Sequence, residues 1–217
     1  MQLRLECKLT AEEYIAQRFW ESASLPPCPK HPEGKCGFAR HTAYERKSLA
    51  GAFIARGYCW LGHFTVSLLP DFLASRLPST LAEVEQEVSL VERSDGSIAA
   101  TAARQHPTVG EVDRAPGVER RLRRRSKGVR AALVTLVGLM PEVFADHPPT
   151  LEGFRAALAP GLRLAPVLVL VALRGCAAPH LAHLPPPLGF GPRSFLRRAA
   201  APRVQQGAGP APPVPST

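Results

Sequence analysis

Apolar and polar residues alternate one for one at the start of the chain. Leu3, Leu5, Cys7 and Leu9 fall on one side and Arg4, Glu6 and Lys8 on the other, the period of a half-buried strand over residues 2–9. Cys7 then reads as a small packing residue. Thr10-Ala-Glu-Glu13 follows as a capping box, in which hydroxyl and carboxylate satisfy orphan amides at a helix start. That helix is predicted to run to about Trp20 and to bury Tyr14, Phe19 and Trp20. Arg40–Arg46 and Ala52–Tyr58 carry the Tyr, Phe and Ile content of paired strands, joined through Ser48–Gly51. Phe64 to Phe72 reads as a third short strand that ends at Pro70.

From residue 79 the apolar period lengthens to that of a helix. Over 79–93, Leu81, Val84, Val88 and Val91 recur at helical spacing behind a Ser79 or Thr80 cap, and Ser94-Asp-Gly96 breaks the run. Ser97 caps a short alanine-rich helix to Gln105, whose small residues let another helix approach. The stretch from His106 to Pro116 is longer than the connection of a tight helix-turn-helix. Val118, Leu122, Val129, Leu133, Leu136 and Met140 line a long helix that Pro141 ends. Thr150 caps a short helix through Ala157, with Leu151, Phe154 and Leu158 on one face. Pro166 then opens Val167–Cys176, apolar nearly all round; it is expected against the Leu133–Met140 half of the long helix or in a dimer contact. Cys176, His180 and His183 read as a chance grouping.

The pattern describes an α+β chain in four parts. Residues 1–78 hold the N-terminal strand and helix and a zinc-ribbon-like hairpin, and 79–140 form an all-α, helix-turn-helix-like region. Residues 141–190 hold the apolar C-terminal helices, and 191–217, rich in Pro, Ala and Gly, are expected to be a disordered tail.

Composition narrows the partners. The formal charge of +9 favours an anionic partner, nucleic acid before a membrane surface. The most apolar run, Leu164 to Leu173, is about half of the roughly 20 residues a spanning helix needs, so no membrane span is expected. The opening QLRLECKL lacks the layout of a signal peptide, and five cysteines are an odd number, so a reducing, cytoplasmic setting is expected. There, grouped Cys and His mean metal more often than disulfide.

Two short Cys/His pieces, Cys28-Pro-Lys-His31…Cys36-Gly37 and Cys59-Trp-Leu-Gly62-His63, bracket the predicted hairpin. Tetrahedral zinc takes thiolate and imidazole as two pairs from two tight turns, and glycine beside a ligand suits such turns. The candidate ligands of a structural Zn2+ are Cys28, Cys36, Cys59 and His63. The first piece departs from Cys-x2-Cys spacing, and His31 stands at the x2 position as an alternative to Cys36. His41, on a predicted strand, reads as solvated or as cross-strand packing.

The series Cys28-Pro29…Cys36-Gly37-Phe38-x-Arg40-His41-x-x-Tyr44-x-Arg46, then Tyr58-Cys59-x-x-Gly62-His63-x-Thr65-x-Ser67-Leu-Leu-Pro-Asp-Phe72, resembles a family of largely uncharacterised bacterial proteins. In that family a zinc ribbon precedes a helix-turn-helix, and it looks allied to the N-terminal DNA-binding parts of insertion-element transposases. The resemblance covers about residues 25–140, with Ser67–Phe72 its most specific element, and it departs at both Cys/His pieces. It implies a DNA-binding role, and by position the long helix would be the recognition helix.

That helix carries Arg120, Arg121, Arg123, Arg124, Arg125, Lys127 and Arg130 against the single acid Glu119. Guanidinium forks match phosphate oxygens bidentately, so these residues are the candidate nucleic-acid contacts. No Asn or Gln stands beside them to read bases. Phosphoryl transfer at two metals needs converging carboxylates. After Pro141 the acids are only Glu142, Asp146 and Glu152, so no catalysis is expected. The expectation is therefore a DNA-binding protein, mobile-element-associated or regulatory. The alternatives are an adaptor or accessory protein that dimerises through the 164–178 helix, and a transposase fragment.

Overall fold

In the computed structural model, which describes residues 1–95, 97–105, 115–159 and 168–191, the alternating N-terminus forms β1 (Gln2–Leu5). Thr10 and Glu13 close the anticipated capping box on α1 (Ala11–Ala16), Thr10 N–H donating to Glu13 Oε2 at 2.8 Å. The helix does not continue to Trp20. It stops at Gln17, and Arg18 takes a left-handed φ of 48° before the single turn α2 (Phe19–Ser22). This kink turns Trp20 inward beside Tyr14, ring centroids 5.5 Å apart.

The hairpin strands are β2 (Ala39–Glu45) and β3 (Phe53–Cys59), followed by β4 (Phe64–Pro70). They join β1 in one sheet of order β1-β4-β3-β2, antiparallel except that β1 runs parallel to β4 with Gln2 opposite Ser67. One sheet face rests on Tyr14, Trp20 and Phe72, and Ile54, Val66, Leu68 and Leu73 join them in a first core. The edge strand β2 is open to solvent over most of its length.

Beyond the sheet the chain is helical: α3 (Leu81–Glu92), α4 (Ile98–Gln105), α5 (Ala115–Leu139), α6 (Pro141–Phe144), α7 (Leu151–Leu158) and α8 (Val169–Cys176). Thr80, not Ser79, caps α3 through a second capping box with Glu83. Thr150 Oγ1 accepts the Gly153 N–H at 3.1 Å as the cap of α7. Leu81, Val84 and Val88 of α3, Val129, Leu133 and Leu136 of α5, Phe144, Phe154, and Leu170 and Leu173 of α8 share a second core. This core draws on both sides of residue 140. Phe144 and Phe154 stack in it with centroids 4.3 Å apart. Val169, Leu170 and Leu173 of α8 are thus buried within the chain itself, mainly beside α3 and α7. A small third cluster, Val91, Ala102, Val118 and Leu122, ties α4 to the ends of α3 and α5. The His106–Pro116 connection (from its start through 114), the Pro166–Val167 helix start and the tail from 192 lie outside the described residues.

Arg174 joins the two halves. It follows directly on the apolar run Leu164 to Leu173, is fully buried, and donates to the carbonyls of Pro70, Asp71, Leu73, Pro187 and Leu188. Asp71 in turn holds Arg4 through both carboxylate oxygens, at 2.7 and 2.9 Å, and accepts the Cys7 amide at 3.2 Å. The Ser67–Phe72 stretch therefore ends in a polar knot between sheet and helices. Among the described residues no helix is long and apolar enough to cross a membrane.

Candidate metal centre and basic helix

Two turns at one end of the sheet bring the sulfur atoms together. In the first, the His31 N–H donates to the Cys28 carbonyl at 3.1 Å, and Gly34, Lys35 and Gly37 all take left-handed φ values. Gly37 is needed for a second reason: a Cβ there would lie 3.1 Å from the Trp60 ring. In the second turn the Gly62 N–H donates to Cys59 Sγ at 3.2 Å, and a Cβ on Gly62 would meet the Phe64 ring at 2.6 Å. The Leu61 N–H donates to the Cys36 carbonyl at 3.1 Å and locks one turn to the other.

Cys28, His31, Cys36 and Cys59 converge there, their ligand atoms all within 4.8 Å of one another. This Cys3His group can hold a metal ion. His31 Nδ1 lies 3.4 Å from both Cys28 Sγ and Cys59 Sγ. The three thiols are buried and, like Cys7 and Cys176, form no disulfide. Cys36 and His31 are thus not alternatives, since both belong to the group.

His63 does not. It follows the turn that Gly62 closes on Cys59, takes the left-handed φ of 47° itself, and places Nδ1 3.2 Å from the Tyr58 hydroxyl. The Cys-x3-His spacing carries the ring past the sulfur cluster onto the open side of the sheet. Among the described residues, Cys176, His180 and His183 form no such group.

The electrostatics suit a cation. Burial opposes ionisation of Cys28, but the amides of Lys30 and His31, the His31 ring and the Cys36 thiol outweigh it and bring the thiol down to about 7. Cys36 moves the other way. Burial raises it, and the neighbouring Cys28 and Cys59 sulfurs raise it further against the Phe38 amide. Three sulfurs this close cannot all carry charge unless a positive ion sits among them.

On α5 the anticipated stripe of Val118, Leu122, Val129, Leu133 and Leu136 is buried, and Met140 beyond the helix is partly so. Arg125 lies on that stripe, not on the polar face. It is 8% exposed, with Nη1 2.8 Å from Glu87 Oε2 and Nη2 donating to the Ser79 hydroxyl. It is therefore withdrawn from the candidate phosphate contacts. Arg121 is exposed but paired with Glu87 at 3.2 Å. Arg120, Arg123, Arg124, Lys127 and Arg130 are exposed. Their spacing of i, i+3, i+4, i+7 and i+10 places them along one face, opposite the buried stripe.

Sequence reasoning passed over Trp60, the most exposed aromatic among the described residues, at 64%. Its signal was available as a bulky ring between a ligand and the glycine of a tight turn. No known protein family, curated protein or solved structure matches the chain.

Proposed function

We propose that this protein binds DNA, with a zinc-stabilised ribbon that braces the sheet and an arginine-lined helix α5 that contacts phosphates. It carries out no catalysis of its own and serves a regulatory or mobile-element-associated role. The observation that carries the proposal is the cationic face of α5. Arg120, Arg123, Arg124, Lys127 and Arg130 form one exposed stripe, and the only acid of the described helix from Val118 onward is Glu119. Such a stripe matches the spaced charges of a duplex backbone and gives salt-sensitive affinity without base readout.

Zinc is the metal the donor set favours, because thiolate with imidazole in a closed four-ligand group is its structural preference. The two sulfur–nitrogen separations of 3.4 Å lie close to the about 3.5 Å edge expected of tetrahedral zinc bonds. When bound, zinc would hold the two turns together; Cys28, His31, Cys36 and Cys59 would supply it.

The test is the salt dependence of duplex binding. Replacing Arg123, Arg124 and Lys127 together by alanine is expected to reduce the slope of log affinity against log salt by up to about 3, near one per lost phosphate contact. Arg125→Met should leave that slope unchanged while costing about 1–3 kcal/mol of stability, because the buried Ser79 hydroxyl loses its partner and the half-buried Glu87 keeps only Arg121. An unchanged slope in the triple variant would move the contact off α5.

A further inference from the structure

The sheet has a second face, turned away from the first core, and its residues have no role in the metal group or in α5. Pairing places Ala39, Tyr58 and Thr65 in one row across β2, β3 and β4, and His41, Arg56 and Ser67 in the next. Trp60 stands at the end of these rows, on the turn between the metal group and β4. Tyr58 meets it edge-on, with centroids 5.0 Å apart and planes at 89°, and His41 lies 5.8 Å from Tyr58 on the other side. Together with Arg40 and Thr65 these residues line an open cleft of about 310 Å³.

The arrangement is braced. Gly37 backs the Trp60 ring, Tyr58 is held by its hydroxyl contact with His63 at 3.2 Å, and the turn is fixed by the Gly62–Cys59 bond. Trp60 keeps 64% of its surface exposed and Leu61 66%, although one turn away the three thiols are nearly covered. A rigid, exposed aromatic has little use in stability, since burial of the ring is what would stabilise the fold. The charge around it has one dominant sign. Residues 28–66 contain six Lys and Arg (30, 35, 40, 46, 47, 56) against two acids (33, 45); Arg40 and Arg46 donate to the carbonyls of Trp20, Ala23, Ala74 and Leu77, while Arg56 stands in the row of His41. Aromatic rings in a row on an open sheet face, bordered by cations, are the form that binds unpaired bases: rings stack on rings while cations follow the phosphates.

We propose that this face is a stacking platform for an unpaired stretch of nucleic-acid strand, with Trp60 as the principal stacking residue and Tyr58 and His41 extending it. The proposal rests on the nucleic-acid reading above and deepens it. Helix α5 supplies non-specific attraction to the backbone, and the ribbon tip distinguishes an opened or single-stranded segment from a closed duplex, whose bases already stack on one another.

The experiment uses the full, metal-loaded chain with oligothymidine and with a blunt duplex of equal length. Trp20 is buried and Trp60 exposed, so binding of the single strand should quench tryptophan fluorescence in wild type and not in Trp60→Phe. Trp60→Ala is expected to weaken oligothymidine binding roughly 5- to 100-fold, with Trp60→Phe retaining part of the affinity. Duplex affinity and its salt slope should hardly change. Because Trp60 is exposed, unaltered metal content and circular dichroism should show that the variants remain folded. Duplex binding with no quench and no effect of Trp60→Ala on the single strand would overturn the platform and leave the α5 reading standing. Failure of wild type to bind either nucleic acid would overturn both. Concentration-dependent self-association that shields Trp60, without an oligonucleotide response, would assign the face to a second copy of the chain and reject the proposal.

Discussion

Protein purified without added metal is expected to contain about one zinc per chain, and Cys59→Ser is expected to contain almost none. Structural zinc contributes on the order of 10 kcal/mol in small ribbon-like sites, comparable to the whole stability of an ordinary domain. The loss should nevertheless be local. Cys28, Cys36 and Cys59 form a small cluster that meets the core of Ile54, Val66 and Leu68 through the half-buried rings of Phe38 and Phe64. Chelation should therefore free the turns around 28–37 and 59–63 and leave most far-ultraviolet signal in place. Two histidine variants make the expectation sharp: His31→Ala should lose the metal and His63→Ala should keep it. Zinc retained in Cys59→Ser, or lost equally from both histidine variants, would reject the Cys3His assignment. Metal affinity should also depend on pH. Below about 7, where the free Cys28 thiol regains its proton, affinity should fall by about one further power of ten per pH unit.

The elements legible in the sequence were those with local causes. The capping box at Thr10–Glu13 and the Thr150 cap formed where predicted, and Thr80 is the one of the two candidates Ser79 and Thr80 that caps α3, because a cap needs only residues within one turn of each other. The buried stripe of α5 followed from its period alone. What escaped reading was set by distant parts of the chain. The pairing of β1 with β4 joins residues about 65 positions apart, Gln2 with Ser67, and no local pattern announces it. The break at Arg18 has a tertiary origin too. A continuous helix would carry Trp20 around the axis, away from its contact with the Phe53 ring at 5.3 Å.

The candidate site divides along the same line. Three sulfurs were identifiable by residue type, because few other roles group cysteines around a hairpin. His31 was read only as an alternative to Cys36, and His63 as the fourth ligand; that His31 takes the fourth place depends on which side of a turn each ring leaves, which the backbone angle at His63 and its contact with Tyr58 decide. Arg125 shows a different limit. At i+7 from Val118 and i+3 from Leu122 it falls within the apolar stripe, so its burial was written in the period. Read by charge alone it joined the arginine run; read by position it belonged to the core.

The largest effect outside the metal group is expected at Arg174. Burial lowers its guanidinium to about 10, with Asp71 acting to raise it and Arg4 to lower it further. It thus stays charged at neutral pH in a fully buried place. It tolerates that place because its fork reaches the carbonyls of Pro70, Asp71, Leu73, Pro187 and Leu188, a geometry no lysine ammonium can copy. Arg174→Met would fill much of the volume but strand the carbonyls of Asp71, Leu73 and Leu188, those of Pro70 and Pro187 keeping the Leu73 and Ser75 amides, and leave the Asp71 charge with Arg4 alone. We expect a loss of about 3–5 kcal/mol, the scale of breaking a buried charged network. With a urea slope of about 1–3 kcal/mol per molar, the midpoint should fall by one to several molar. Arg174→Lys should recover little of it. Because the knot lies apart from the Cys3His group, zinc content of any folded Arg174→Met should remain near one per chain. A midpoint shift worth less than about 1 kcal/mol would mean that the sheet and the helices are joined by their apolar contacts through Phe190 and not by this arginine.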